Sequence, residues 1–382
     1  MEGNKMFESL SHAALQDYWW VIISLLGSLL VFLMFVQGGQ TLIYTLGKTE
    51  TERKMIVNTL GRKWEFTFTT LVTFGGAFFA SFPLFYSTSF GGAYWVWMII
   101  LFAFVIQAVA YEFRSKPRNF LGQKTYEIFL FINGAIGTIL IGTAVGTFFT
   151  GSMFSRDLVT NFSRWETPFY GLEAALNVQN VSLGLAVFFL ARVLGILYIM
   201  NSIESVPIMA RSRKQLFYNA VPFLVFFLFF VIRLMFLEGF AVDPETGMVT
   251  MEAYKYLHNL LGMPVVLVMF LAGVILVLWG LYLALLKAST KGIWYTGAGT
   301  VLAVMVLFFL AGFNNTSFYP SVFDLQHSLT IRNSSSSHYT LTVMSYVSLF
   351  VPVVVVYIFF AWKSINVKKI DESEMESSSH TY

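Results

Sequence analysis

The sequence contains no cysteine, which excludes disulfides, zinc–thiolate sites, iron–sulfur clusters and cysteine nucleophiles. Charge is scarce as well: Asp, Glu, Lys and Arg make up 12% of its 382 residues, where soluble domains carry roughly 25%. The five histidines are His12, His258, His327, His338 and His380. None falls deep in an apolar stretch, so intramembrane haem held by a histidine of this chain is not expected. There is no Walker loop, no dinucleotide fingerprint between a strand and a helix, no His-Glu-x-x-His and no nucleophile elbow. The net charge of +3 suggests neither a nucleic-acid partner nor an acidic substrate.

What the chain has is apolar length, with 57% hydrophobic residues. A helix rises 1.5 Å per residue and crosses the ~30 Å hydrocarbon layer in about 20 residues. Nine stretches are that long: 18–45, 66–88, 92–112, 124–150, 178–203, 215–238, 261–287, 291–313 and 339–362. The expected fold class is therefore an all-α integral membrane protein with nine transmembrane helices. Residues 1–370 form one polytopic domain, and residues 371–382 a polar, disordered tail rich in Ser and Glu. The first stretch lacks a nearby basic leader and a small-residue cleavage site, so it is expected to remain in the mature protein.

Basic residues give the orientation. The face of the N-terminus carries five, Lys5, Arg156, Arg164, Lys255 and Arg332, while the other carries seventeen, from Lys48 to Lys369. Cytoplasmic loops hold the excess of Lys and Arg, so the N-terminus is expected outside and the C-terminus in the cytoplasm. Tyr18, Trp19, Trp20, Tyr94, Trp95, Trp97 and Trp362 sit at stretch ends and are expected in the headgroup belt. Gly142 and Gly146, and Gly76 with Ala80, have the spacing of close helix contacts. Pro83, Pro222 and Pro352 lie within stretches and are expected to kink them.

Ionisable groups inside a bilayer are expensive and are candidates for function. Arg192 lies mid-stretch and needs a carboxylate, a cofactor-bordering anion in a partner chain, or backbone carbonyls. Glu65, Glu112 and Glu204 stand at stretch ends on the basic side. Gln37, Gln40 and Tyr44 share a helix face, as do Glu65, Thr69 and Thr73. Such amides and hydroxyls either join helices or carry protons inward from Glu65. Glu65 at a helix N-terminus also matches the helix dipole.

At GKTETERKMIVNTLGRKWEFTFTTLVTFGGAFFASFPLFYSTSF the chain resembles subunit II of the cytochrome bd quinol oxidases. There a basic TER loop leads into a Trp–acid pair and a Gly-Gly-Ala helix. YEFRSK and SLTIRNSSSSHYTLTVMSYVSLFVPVVVVYIFFAWK extend the likeness, which covers about residues 18–125 and 318–365. The resemblance implies two four-helix bundles plus a peripheral helix in a bacterial inner (plasma) membrane. It also implies a heterodimer with subunit I, to which small accessory subunits can add. Subunit I would hold the b- and d-type haems and the quinol site, with no cofactor assigned to this chain and the isolated chain not catalytic. The complex would oxidise quinol and reduce O2 to water in aerobic respiration, drawing protons from the cytoplasm.

Trp64 and Glu65 fall at the Trp–acid positions, and the resemblance makes Trp64 a candidate contact for a structural quinone. Where many members have Asp-Gly-Phe-Asp, this chain has Gln37, Gly38, Gly39 and Gln40. An amide orients water but takes up no proton at ordinary pH, which moves weight to Glu65. The proton-path candidates are thus Glu65, Thr69, Thr73, Gln37, Gln40 and Glu112. The alternative is a secondary transporter or channel with Arg192 as an anion site.

Overall fold

Residues 6–116, 118–366 and 369–371 are described by a computed structural model. From residue 372 on, the tail expected to be disordered lies outside the described residues. Among these, eight helices are long and apolar enough to cross a membrane. They are span one (His12–Gln40), three (Tyr94–Phe113), four (Gln123–Thr150), five (Val178–Ser202), six (Val206–Phe236), seven (Pro264–Leu285), eight (Gly292–Gly312) and nine (His338–Ile365). Span two is Trp64–Ser81, which turns by 115° into Pro83–Gly92. Phe82 leaves helical geometry at φ −132°, ψ 64°, as a residue before proline tends to do. Counting this bent pair as one span gives nine.

Prolines act differently at the three expected kinks. Pro83 starts a new helical piece, and Pro352 opens the second half of span nine after a break at Leu349–Phe350. Pro222 sits inside span six without ending it.

Spans one to four pack into one bundle and spans five to eight into a second, while span nine lies against spans one and two. The two bundles meet backbone to backbone. A Cβ on Gly38 would stand 1.9 Å from the Ala191 carbonyl oxygen, and one on Gly195 2.4 Å from the Gly39 nitrogen. Likewise a Cβ on Gly142 would reach Gly184 Cα at 2.8 Å, and on Gly146 Asn180 Cα at 2.7 Å. Only a hydrogen fits at such contacts. Gly76 is the opposite case: no other atom of the described residues lies within 4 Å of its would-be Cβ, whereas the Ala80 carbonyl accepts from the Ser336 hydroxyl at 2.6 Å.

Two of the expected belt aromatics are core residues instead. Trp20 is fully buried among Phe78, Phe82, Phe308 and Phe318 and donates its indole N–H to the Phe308 carbonyl at 3.1 Å. Trp19 is buried against span nine through Ser345 at 3.1 Å. Their rings bury more apolar area than any aliphatic side chain, and span nine supplies the cover. Trp95 remains exposed, as the belt requires.

The basic end of the bundle holds a helix that hydropathy did not announce. Glu50–Gly61 begins with a capping box between Thr49 and Glu52, and Glu52 pairs with Arg211 of span six. This corrects the expectation of a plain basic loop between spans one and two. The opposite end carries two hairpins, Phe154–Arg156 with Ser163–Trp165 and Gly239–Val242 with Val249–Glu252. Their turns are closed by Asp157 and Asp243. Asp157 accepts from the Val159 and Thr160 amides and Asp243 from those of Glu245 and Thr246. These amide donors favour the charged carboxylate and hold both acids below the usual carboxyl range.

Candidate functional site

Span two begins at Trp64 because the Lys63 turn ends the preceding helix, and Glu65 sits in its first turn, where exposed amides favour an acid. Positions 65, 69, 73 and 76 recur at helical spacing and form one stripe. Glu65, Thr69, Thr73 and Gly76 are all exposed in this chain. Thr73 donates to the Thr69 carbonyl at 2.8 Å, so the stripe's hydroxyls bond along their own helix. Thr67, on the other face, is buried and donates to Leu33 of span one at 2.9 Å. The acid and hydroxyl ladder therefore looks away from the first bundle.

The amides of span one point inward. Gln37 and Gln40 are buried, as are Gln107 of span three and Asn133 of span four. Gln40 donates to the Tyr111 hydroxyl at 3.0 Å, and Tyr111 stacks on Trp64 with ring centres 5.8 Å apart and planes 14° apart. Both amide atoms of Gln37, Gln107 and Asn133 are buried without a protein partner. Leaving such a group unsatisfied costs about 1–3 kcal/mol, so these three side chains together form a polar interior suited to ordered water. Asn133 opens a π-helical turn, Asn133–Gly137. There Gly134 lets span four approach the Gln37 carbonyl oxygen, 2.3 Å from its would-be Cβ.

The interior also contains a carboxylate that sequence reasoning passed over. Glu127 accepts from Arg114 (Nη2 2.6 Å, Nε 3.1 Å) and from the Tyr44 hydroxyl at 2.5 Å. The Arg114 and Glu127 side chains are 0% and 5% exposed, whereas Tyr44 is 40% exposed and links the pair to the surface at the basic end. A glutamate inside a membrane-length stretch was the available signal. Tyr44 thus serves Glu127 rather than the Gln37–Gln40 side chains with which it shares a sequence face.

The remaining candidates are dispersed. Glu112 is exposed and pairs with Lys116 at 3.0 Å, so it does not join the amides. Glu204 is exposed at the end of span five. Arg192 meets neither a carboxylate nor a backbone carbonyl among the described residues. Its Nε donates to Asn219 Oδ1 at 2.6 Å and its Nη1 to Thr41 Oγ1 at 3.0 Å, with Phe188 under the guanidinium at 5.4 Å.

The four described histidines lie apart from the buried amides. His12 and His338 bond to backbone carbonyls, His258 to Glu252, and His327 lies 3.9 Å from Asp324. All four belong to the end opposite the basic one, outside the bundle interiors. No cluster of three metal-ligating His, Cys, Asp or Glu side chains occurs among the described residues.

A bundle of eight or nine membrane-length helices with a polar stripe turned outward defines a class: a multi-pass integral membrane protein. The chain belongs to the cytochrome bd terminal oxidase subunit II family, which matches it over residues 15–365. It is 26% identical to cytochrome bd-I ubiquinol oxidase subunit 2 of Escherichia coli K12, across 97% of this chain and 99% of the relative. It is 28% identical to cytochrome bd ubiquinol oxidase subunit 2 of Bacillus subtilis 168, across 88% and 91%. The bd oxidase structure from Geobacillus thermodenitrificans shares the fold, with a TM-score of 0.62 at 14% identity over 92% of this chain and 99% of that one. This chain is thus a subunit of a bd-type quinol oxidase, an oxidoreductase complex of the bacterial inner membrane. Family membership sets aside the transporter or channel reading.

Proposed function

We propose that this subunit supports a haem-bearing subunit I through the open face of span two and lines a proton route between the two chains. The observation that carries the reading is the stripe Glu65–Thr69–Thr73–Gly76, which is polar or small and left exposed by the described residues. A helix facing lipid gains from apolar side chains, whereas small and hydroxyl residues suit a closely packed neighbour. The basic end is cytoplasmic on the distribution of Lys and Arg. The complex oxidises quinol and reduces O2 to water at the b- and d-type haems of subunit I, and the protons consumed enter at this end.

Glu65 then has a definite task. It takes up a proton at the cytoplasmic end of the stripe, and the Thr69 and Thr73 hydroxyls, each donor and acceptor, pass it along the shared interface. The amides of Gln37, Gln40, Gln107 and Asn133 orient water beside that route without titrating. Trp64 fits a quinone carbonyl, because its indole N–H is buried with no acceptor among the described residues. A quinone held there would be a structural group that Tyr111 helps to fix.

The test is Glu65→Gln in the intact complex reconstituted into vesicles. The complex should assemble with unaltered haem bands in its reduced-minus-oxidised spectrum, while turnover-linked proton uptake slows. Unchanged uptake and pH dependence would move the route elsewhere. Recovery of this chain as a colourless, self-sufficient protein would sink the subunit reading as well.

A further inference from the structure

The basic end holds a cavity of about 250 Å³ that neither the proton route nor the partner contact uses. Three segments far apart in sequence converge on it: Thr59 and Arg62 before span two, Tyr198 and Ser202 at the end of span five, and Asn366 and Lys369 after span nine. Ile370 is tied to the end of span five, donating to the Ser202 carbonyl at 3.0 Å and accepting from the Glu204 amide at 2.9 Å. No Asp or Glu is among the described lining residues.

The geometry points to a binding site for a phosphate group. Two cations, three hydroxyls and the amides of Asn201 and Asn366 face a common space, the Asn201 amide also donating to the Thr290 carbonyl at 2.9 Å. Phosphate oxygens accept from this combination, with guanidinium and ammonium bonds the strongest. Arg62 has five N–H donors, so it can serve the cavity and other partners together. Thr59 is 1% exposed and its hydroxyl has no hydrogen-bond partner among the described residues. A buried donor left so is costly unless something accepts from it. Lys63, next in the chain, is fully buried with no hydrogen-bond partner, its ammonium 4.5 Å from the centre of the Trp362 ring, and adds to the positive field.

Size limits the ligand. Each water occupies about 30 Å³ in the liquid, so the cavity takes one phosphate group with several waters. It falls short of the roughly 300–1,000 Å³ that encloses a drug-sized molecule, so a single phosphate group suits it better than an enclosed nucleotide. Two sources share the chemistry: an anionic phospholipid headgroup reaching in beside Trp362, and free inorganic phosphate.

The purified complex, in a phosphate-free neutral detergent, is titrated separately with inorganic phosphate and with phosphatidylglycerol mixed micelles, phosphatidylcholine micelles being the control. Its thermal midpoint is followed throughout. Stabilisation by phosphatidylglycerol alone identifies the headgroup, and stabilisation by both identifies the phosphate group whatever its source. In either case Lys369→Gln and Thr59→Val weaken the response, the charge loss by about tenfold or more in apparent affinity. Asp371→Asn, removing the acid next to the cavity-lining segment, strengthens it. The proposal is overturned if neither probe shifts the midpoint, or if Lys369→Gln and Thr59→Val respond as the parent does. Proton uptake enters none of these readouts, so the outcome is independent of the role given to Glu65.

Discussion

Glu127→Leu would remove the carboxylate that pairs with the Arg114 guanidinium at 0% side-chain exposure. Breaking a buried pair in this way costs about 3–5 kcal/mol, because the surviving ion keeps its desolvation penalty and loses its counter-charge. Tyr44→Phe removes one hydrogen bond to the same carboxylate. Bonds to charged groups contribute about 1.5–3 kcal/mol, and the half-open position of Tyr44 places this one at the low end. Arg114→Met combined with Glu127→Leu removes both charges and leaves apolar side chains of similar size, so the double variant should recover much of the loss.

The assay is the fraction of folded complex after graded heating in detergent, compared across the single and double variants. A coupling of about 3 kcal/mol corresponds to roughly a hundredfold in the folding equilibrium. If the double variant is as unstable as the sum of its singles, the pair is not a closed unit and the reasoning fails.

Gly38→Ala should abolish accumulation of the subunit, since its Cβ would fall 1.9 Å from a backbone oxygen; immunoblotting of membranes checks this. Gly76→Leu should leave the chain folded but reduce recovery of the haem-bearing partner on affinity purification; unchanged recovery would remove the stripe from the interface. The Asp157 and Asp243 turns are held by carboxylates whose folded-state ionisation lies below the ordinary value. Their contribution is therefore complete above about pH 5, roughly a unit above the ordinary Asp value, and fades as pH falls toward and through the lower folded-state value. Hydrogen exchange at the Val159, Thr160, Glu245 and Thr246 amides should show constant protection from neutral pH to about pH 5 and faster opening in stronger acid.

Span number and the basic asymmetry were legible because they are one-dimensional quantities, hydropathy and charge read along the chain. The Gly142–Gly146 contact was legible for a related reason: a four-residue repeat of glycine has few uses apart from close packing. The sequence spacing of Glu65, Thr69 and Thr73 gave the stripe but not its direction. Which way a helix turns depends on what it packs against, here Thr67 to Leu33.

Trp20 read as a belt residue because its position near a span end was visible and its Phe neighbours, drawn from spans two and eight and the following loop, were not. The Glu50–Gly61 helix could have been read from Thr49 and Glu52, whose spacing is a capping box; the basic residues around it obscured that signal. Glu127 escaped because one acid in a long apolar run was counted with the run.

The glycine contacts along span five have a mechanical consequence. Its backbone is locked to span one near Ala191 and Gly195 and to span four near Asn180 and Gly184, so it is a welded seam between the two bundles. No hinge or sliding plane can operate there without backbone collision, and the eight-helix body should behave as one stiff block during turnover. Span nine, whose Val351–Ile365 half buries no residue in this chain, is outside that weld. It is the element through which motion in a neighbouring subunit would be taken up.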